Sequence, residues 1–198
     1  MSDERDTRGS AERNTITKNK IKTNTIKMTD QQNIPVRNAG IVLLSPFIPR
    51  LLERLNFTAD DHFTSQQNRE KAALFLQFVV TGKQDTPNTD LALNKIICGL
   101  SHEAVLSENI EITTEEAVFS DQVLNALISN WPALGSISIP ALRETFLMRD
   151  GLLSESQEQW KLTVERKSFD VLLNQCPFSF SVIKYPWMEK PLVVKWSS

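Results

Sequence analysis

The sequence predicts an α+β fold, mainly helical, with about five to six helices and a small C-terminal antiparallel sheet behind a disordered N-terminal arm. Three observations carry this. Apolar residues recur at helical spacing from Ile41 to Leu147, punctuated by capping residues. From Trp160 onward they alternate with polar ones, the period of a half-buried strand. Residues 1–35 have almost nothing to bury. The predicted organisation is an arm over 1–35 and one domain over 36–198.

In the arm, Ile16, Ile21, Ile26 and Met28 are almost the only apolar side chains before residue 34. So little burial cannot offset the entropy of ordering the backbone. Residues 1–37 hold eight Lys/Arg against five Asp/Glu, so the rest of a chain of net charge −2 carries −5. That balance gives no reason to expect nucleic acid or an anionic membrane as a partner. No apolar run reaches the ~18 residues of a membrane span, and the first 30 residues lack a secretory h-region. A cytoplasmic origin is expected, where the Asn56-Phe57-Thr58 sequon meets no glycosylation machinery.

The first helical segment runs through Ile41, Val42, Leu43, Leu44, Phe47, Ile48, Leu51, Leu52 and Leu55. Pro46 and Pro49 predict a bend or two joined pieces, and core burial is favoured over a partner-binding helix. A second helix spans 65–81 between an N-cap at Ser65 and a stop at Gly82. A third opens at Thr86-Pro87, turns Leu91, Leu93, Ile96 and Ile97 inward, and stops at Gly99. A capping box, Thr113 to Glu116, starts a fourth that presents Val118, Val123, Leu124, Leu127 and Ile128 and ends by Trp131-Pro132. A fifth follows Ser138, buries Leu142, Phe146 and Leu147, and closes at Gly151. Strands are predicted at 160–165, around Phe178, Phe180 and Val182, and at 192–196, with a short helix over 168–174.

Motifs for chemistry are missing. The chain has no glycine-rich phosphate loop, no Gly-x-Ser-x-Gly elbow, no His-Glu-x-x-His and no Cys-x-x-Cys. No catalytic, cofactor-binding or metal-ligating residue is assigned. His62, Cys98, His102 and Cys176 are the whole Cys/His supply. Cys98 and His102 could chelate only if a helix ran through Gly99, so a buried Cys98 and a surface His102 are expected. A Cys98–Cys176 disulfide is not expected in a reducing compartment. Asp60-Asp61 and Glu115-Glu116 fall where helix N-caps and first turns favour acids. Arg143-Glu144 reads as a partly buried ion pair or a solvent edge. Trp160, Phe178, Phe180, Tyr185, Trp187 and Trp196 crowd the last 39 residues. Lys184, Lys190 and Lys195 do not make the basic groove that base stacking requires, so these rings suit a core or a protein interface.

Four phrases point further. Asn38-Ala39-Gly40 through Arg50 resembles the opening of the conserved C-terminal region of contractile injection system tape measure proteins. So does Leu93-Asn94-Lys95-Ile96-Ile97-Cys98-Gly99-Leu100. Ser138-Ile139, Leu142-Arg143-Glu144, Phe146-Leu147 and Arg149-Asp150-Gly151 look like the same family. Trp160 to Glu165, Phe169-Asp170, Pro186-Trp187-Met188 and Val194-Lys195-Trp196 complete the likeness, which covers about 36–196. It implies a structural part of a phage-tail-like particle, helping to set tube length and organise tail assembly. Its implied partners are tube, baseplate or terminator proteins, first in the cytoplasm and then within the particle, with no cofactor.

Family members are usually much longer. About 37 residues precede the domain here, spanning ~55 Å as a helix or ~120 Å extended. That is short for a ruler and suits an anchoring domain. Two other readings compete. One is a free-standing adaptor or assembly chaperone that takes a partner helix in a hydrophobic groove, which would leave the 41–55 run partly exposed. The other is an enzyme using carboxylates around Asp60, Asp61 or Glu144, which would require a deep pocket.

Overall fold

Six consecutive residues, Ala39 to Leu44, are all buried, so this segment must be enclosed on every side. In the computed structural model, which describes residues 33–107 and 111–196, it is a 3-10 turn between the helical layer and the sheet. Pro46 has no N–H to continue it. The chain links through Phe47 N–H, which donates to Leu44 O at 2.8 Å, into helix α1, Ile48–Arg54, with Pro49 in the tolerated first turn. The predicted two joined pieces are thus a 3-10 turn and a short α-helix.

Helix α2, Gln66–Thr81, is the centre of the helical layer. Ser65 Oγ accepts from Asn68 N–H at 3.0 Å, and Gly82 ends the helix at φ +70°. A 3-10 turn, Asn88–Leu91, leads into α3, Ala92–Ile97, and Gly99 follows at φ +71°. Helix α4, Thr114–Asn130, starts on the reciprocal capping box of Thr113 and Glu116. Its buried apolar side chains are Leu124 and Leu127, whereas Val118, predicted inward, is 53% exposed.

Helix α5, Ile139–Leu142, begins on Ser138 and widens into a π turn, Arg143–Leu147, closed by Met148 N–H on Arg143 O at 2.8 Å. Gly151 does not close this helix. It opens a strand and sits against Thr163 O and the Ala39 side chain, where a Cβ would be crowded.

The sheet has five strands in the order β1-β4-β5-β7-β6. These are β1, Asn33–Val36; β4, Gly151–Glu155; β5, Trp160–Val164; β6, Val182–Ile183; and β7, Leu192–Lys195. A separate hairpin joins β2, Thr58–Ala59, to β3, His62–Phe63. The α+β class holds, but the sheet is mixed: β5 and β7 run parallel, and the other three pairings are antiparallel. A parallel neighbour requires a long crossover, and residues 165–191 supply it, including a 3-10 helix at Ser168–Gln175.

Strand β5 buries Trp160, Leu162 and Val164 and exposes Lys161 and Thr163, as the alternation predicts. Phe178 and Phe180, read as strand, lie in irregular chain instead. Residues 33–35, read as arm, belong to β1, where Val36 is already core. The disorder expected for residues 1–32 lies outside the described residues.

Among the described glycines, Gly40 has the tightest surroundings. A Cβ there would stand 1.8 Å from Phe146 O and 2.6 Å from Leu147 Cα. No side-chain rotation can relieve a clash with backbone atoms. Gly40→Ala should therefore destabilise the chain by roughly 3 kcal/mol or more, the upper range of overpacking. The exposed Val118→Ala should stay within about 0.5 kcal/mol of the parent. Urea unfolding followed by circular dichroism measures both.

Candidate docking surface

Each residue pair that could carry chemistry has a structural use. Asp60 and Asp61 have φ +50° and +63° and make the two-residue turn between β2 and β3, not a helix start. Two left-handed residues are what a type I′ hairpin needs. Glu116 closes the α4 capping box and pairs with Lys71 at 2.7 Å. Arg143 pairs not with Glu144, which is exposed, but with Asp121 at 3.6 Å. Its guanidinium also donates to Val79 O at 3.0 Å and Ser120 Oγ at 3.3 Å, joining α2 to α4.

Cys98 and His102 do not share a helical face, because α3 ends at Ile97 and Gly99 turns left-handed. Cys98 is fully buried, and burial pushes its thiol well above the ordinary range, which makes it a poor nucleophile. His102 is half-buried, its ring 5.4 Å from that of Trp160. Among the described residues, both cysteines are free and no group of three or more His, Cys, Asp or Glu could hold a metal ion.

The C-terminal aromatics serve as braces. Tyr185 Oη donates to Ser45 O at 2.8 Å, and Trp187 Nε1 donates to Ile97 O at 2.9 Å. Phe178 meets Phe47 edge-on at 5.8 Å, and Phe180 meets Trp196 in the same way. Together they fasten the segment before β7 to the helical layer and to the end of the chain.

Two buried polar clusters resemble active sites most closely. In the first, Asn38 Nδ2 donates to Gln77 Oε1 at 2.7 Å and to Asn94 Oδ1, and Asn94 Nδ2 donates to Ala73 O at 3.1 Å. In the second, Arg149 and Asp170, 2% and 1% exposed, form a two-point pair at 2.7 and 3.0 Å. Arg149 Nη2 also donates to Glu165 O at 2.6 Å, and its guanidinium lies over the rings of Phe169 and Trp196, 5.2 and 5.1 Å from their centres. Asp170 accepts further from Lys167 N–H at 2.9 Å and Trp196 Nε1 at 3.1 Å. The Arg149–Asp170 pair is buried, whereas Asn38 and Gln77 of the first cluster also border a cavity of about 430 Å³, and Asn38 Oδ1 and Arg149 Nε have no hydrogen-bond partner among the described residues.

What remains is surface. Pro46, Phe47, Leu51, Phe119 and Val123 make the apolar part of a groove of about 470 Å³ between α1 and α4. The neighbouring Val118 was legible as an excess: apolar residues at 118, 119, 123, 124, 127 and 128 cover more of α4 than one buried face. The bulk of the 41–55 run, by contrast, is core.

The model of one family, contractile injection system tape measure protein, matches residues 1–196. The chain belongs to that family. No curated protein and no solved structure matches it. The family is a structural one, and the match extends over the arm as well as the 36–196 region that carried the resemblance. In this chain the recognisable phrases build much of the interior, although the first also reaches the groove through Pro46, Phe47 and Arg50. Asn38 and Asn94 share one cluster, Gly40 meets the π turn, and Arg149, Asp170 and Trp196 share the other. No helix among the described residues is long and apolar enough to cross a membrane.

Burial alone would raise the Asp170 carboxyl, but hydrogen bonds from Arg149, Lys167 and Trp196 outweigh it and hold the group below its ordinary value. Its stabilisation is therefore complete above the unfolded carboxyl's pKa and is lost as pH falls through the lowered folded value. Asp170→Asn leaves Arg149 buried without its charge partner and should cost about 3–5 kcal/mol near neutral pH. The gap between variant and parent should narrow as pH drops below about 4. Urea titrations at several pH values measure it.

Proposed function

We propose that this chain is an anchoring and assembly component of a contractile injection particle. It works by protein contacts with tube, baseplate or terminator subunits and so contributes to tube length and tail assembly. The observation that supports this best is the division of labour in the fold. The family's phrases build most of the interior, and the first of them also supplies Pro46, Phe47 and Arg50 to an apolar groove on the surface. Of the distinctive polar residues, Arg149, Asp170 and Asn94 are enclosed, and Asn38 and Gln77, which border a cavity, are hydrogen-bonded to each other. Assembly would begin in the cytoplasm and end with the chain inside the particle.

The test is to tag the full chain in its native cells, pellet the particles, wash them, and identify their proteins by mass spectrometry. The chain should persist at constant stoichiometry beside tube and sheath. Its deletion should lower particle yield or broaden the tube-length distribution seen by electron microscopy. Intact particles of unchanged length that never contain it, with the chain recovered on a soluble partner, would leave the adaptor or chaperone reading instead.

A further inference from the structure

Helix α4 is apolar over a wider arc than the core covers. Leu124 and Leu127 are buried, Phe119 and Val123 only partly, and Val118 stands out in solvent. Phe119 and Val123 face Phe47 and Leu51 across the groove. Arg50 and Arg54, one turn apart on α1, line it as well. No carboxylate lines it, and neither arginine has an acidic partner among the described residues. The Arg54 guanidinium rests instead over the Phe119 ring, 5.4 Å from its centre. Arg50 also borders a second cavity lined by Glu53, Asp60 and Asp61, but the only charged side chains on the apolar groove itself are the two arginines.

We propose that this groove docks an amphipathic helix of a partner protein, one whose apolar stripe is flanked by carboxylates. Both walls are helical, so a third helix can settle between them by ordinary ridge-and-groove packing. Its apolar residues, at i, i+3 or i+4 and i+7, would cover Phe47, Phe119 and Val123. Its Asp and Glu side chains would meet Arg50 and Arg54, for which a guanidinium offers two-point contacts. A second copy of this chain fits poorly: in a two-fold contact the groove's own lining supplies the opposite surface, and that lining has no carboxylate to meet the arginines. The proposal deepens the docking reading above, and it is tested apart from the particle so that either can fail alone.

The full chain is titrated into two labelled helical peptides of about 18 residues with the same leucine stripe, one flanked by glutamates and the other by lysines. Fluorescence anisotropy should show the acidic peptide binding about tenfold or more tighter, with the preference weakening at high salt. Arg50→Glu with Arg54→Glu changes only exposed side chains and should reverse the preference. Val123→Asp should weaken both peptides. Val171→Asp, on the exposed side of the Ser168–Gln175 turn, should change neither. Equal binding of the two peptides, no binding up to about 1 mM, or a preference that survives the charge reversal would overturn the proposal. So would sedimentation showing that the chain self-associates through these same residues.

Discussion

Arg149 and Asp170 face each other at two points inside the protein, and three distant segments meet at that pair. Arg149 follows the π turn and leads into β4, and its own backbone carbonyl accepts from Ala39 N–H at 2.9 Å. Asp170 belongs to the crossover between the parallel strands. Trp196, just past β7, donates to Asp170 and stacks on Arg149. An isolated buried charge would be prohibitive, so each partner is tolerated only while the other segments are in place. The pair acts less as a source of stability than as a condition on how the sheet's margin is assembled.

Helices were the most legible part of the sequence because their ends are written locally. Ser65, Thr113 and Ser138 cap through their own side chains, and Gly82 and Gly99 take left-handed backbone. The sheet was legible only where one face is dry, as in β5. Strand β4 hid behind adjacent Leu152 and Leu153, which break the alternation because the outward Leu152 is half-exposed. Strand β1 hid for a different reason: its two exposed positions, Asn33 and Pro35, make an edge look like linker. The parallel pairing of β5 with β7 is a long-range choice that no local pattern records.

The surface was harder to read than the core. Arg143 and Glu144 are neighbours in sequence, yet the arginine turns to Asp121 and the glutamate to solvent. Which acid meets which base depends on helix rotation set by packing. Val118 shows the complementary case. Its spacing said helix, and its chemistry said inward, but the core had already been filled from Leu124 and Leu127. An apolar residue left over after the interior is complete is informative about contacts beyond the chain.

The parallel partnership of β5 and β7 also governs timing. Strand β7 lies between β5 and β6, with Trp196 closing the Arg149 cluster one residue beyond it. During synthesis the capped helices can form as they emerge, but the sheet lacks an interior strand until residue 196 has left the ribosome. Non-local closure of this kind is slow compared with helix formation, and the unfinished sheet meanwhile exposes strand edges and apolar faces. The sheet is therefore completed only when its last strand is available, later than the helices can form. A newly made chain passes through an interval in which it is vulnerable to aggregation and has not yet assembled the sheet that backs its helical layer.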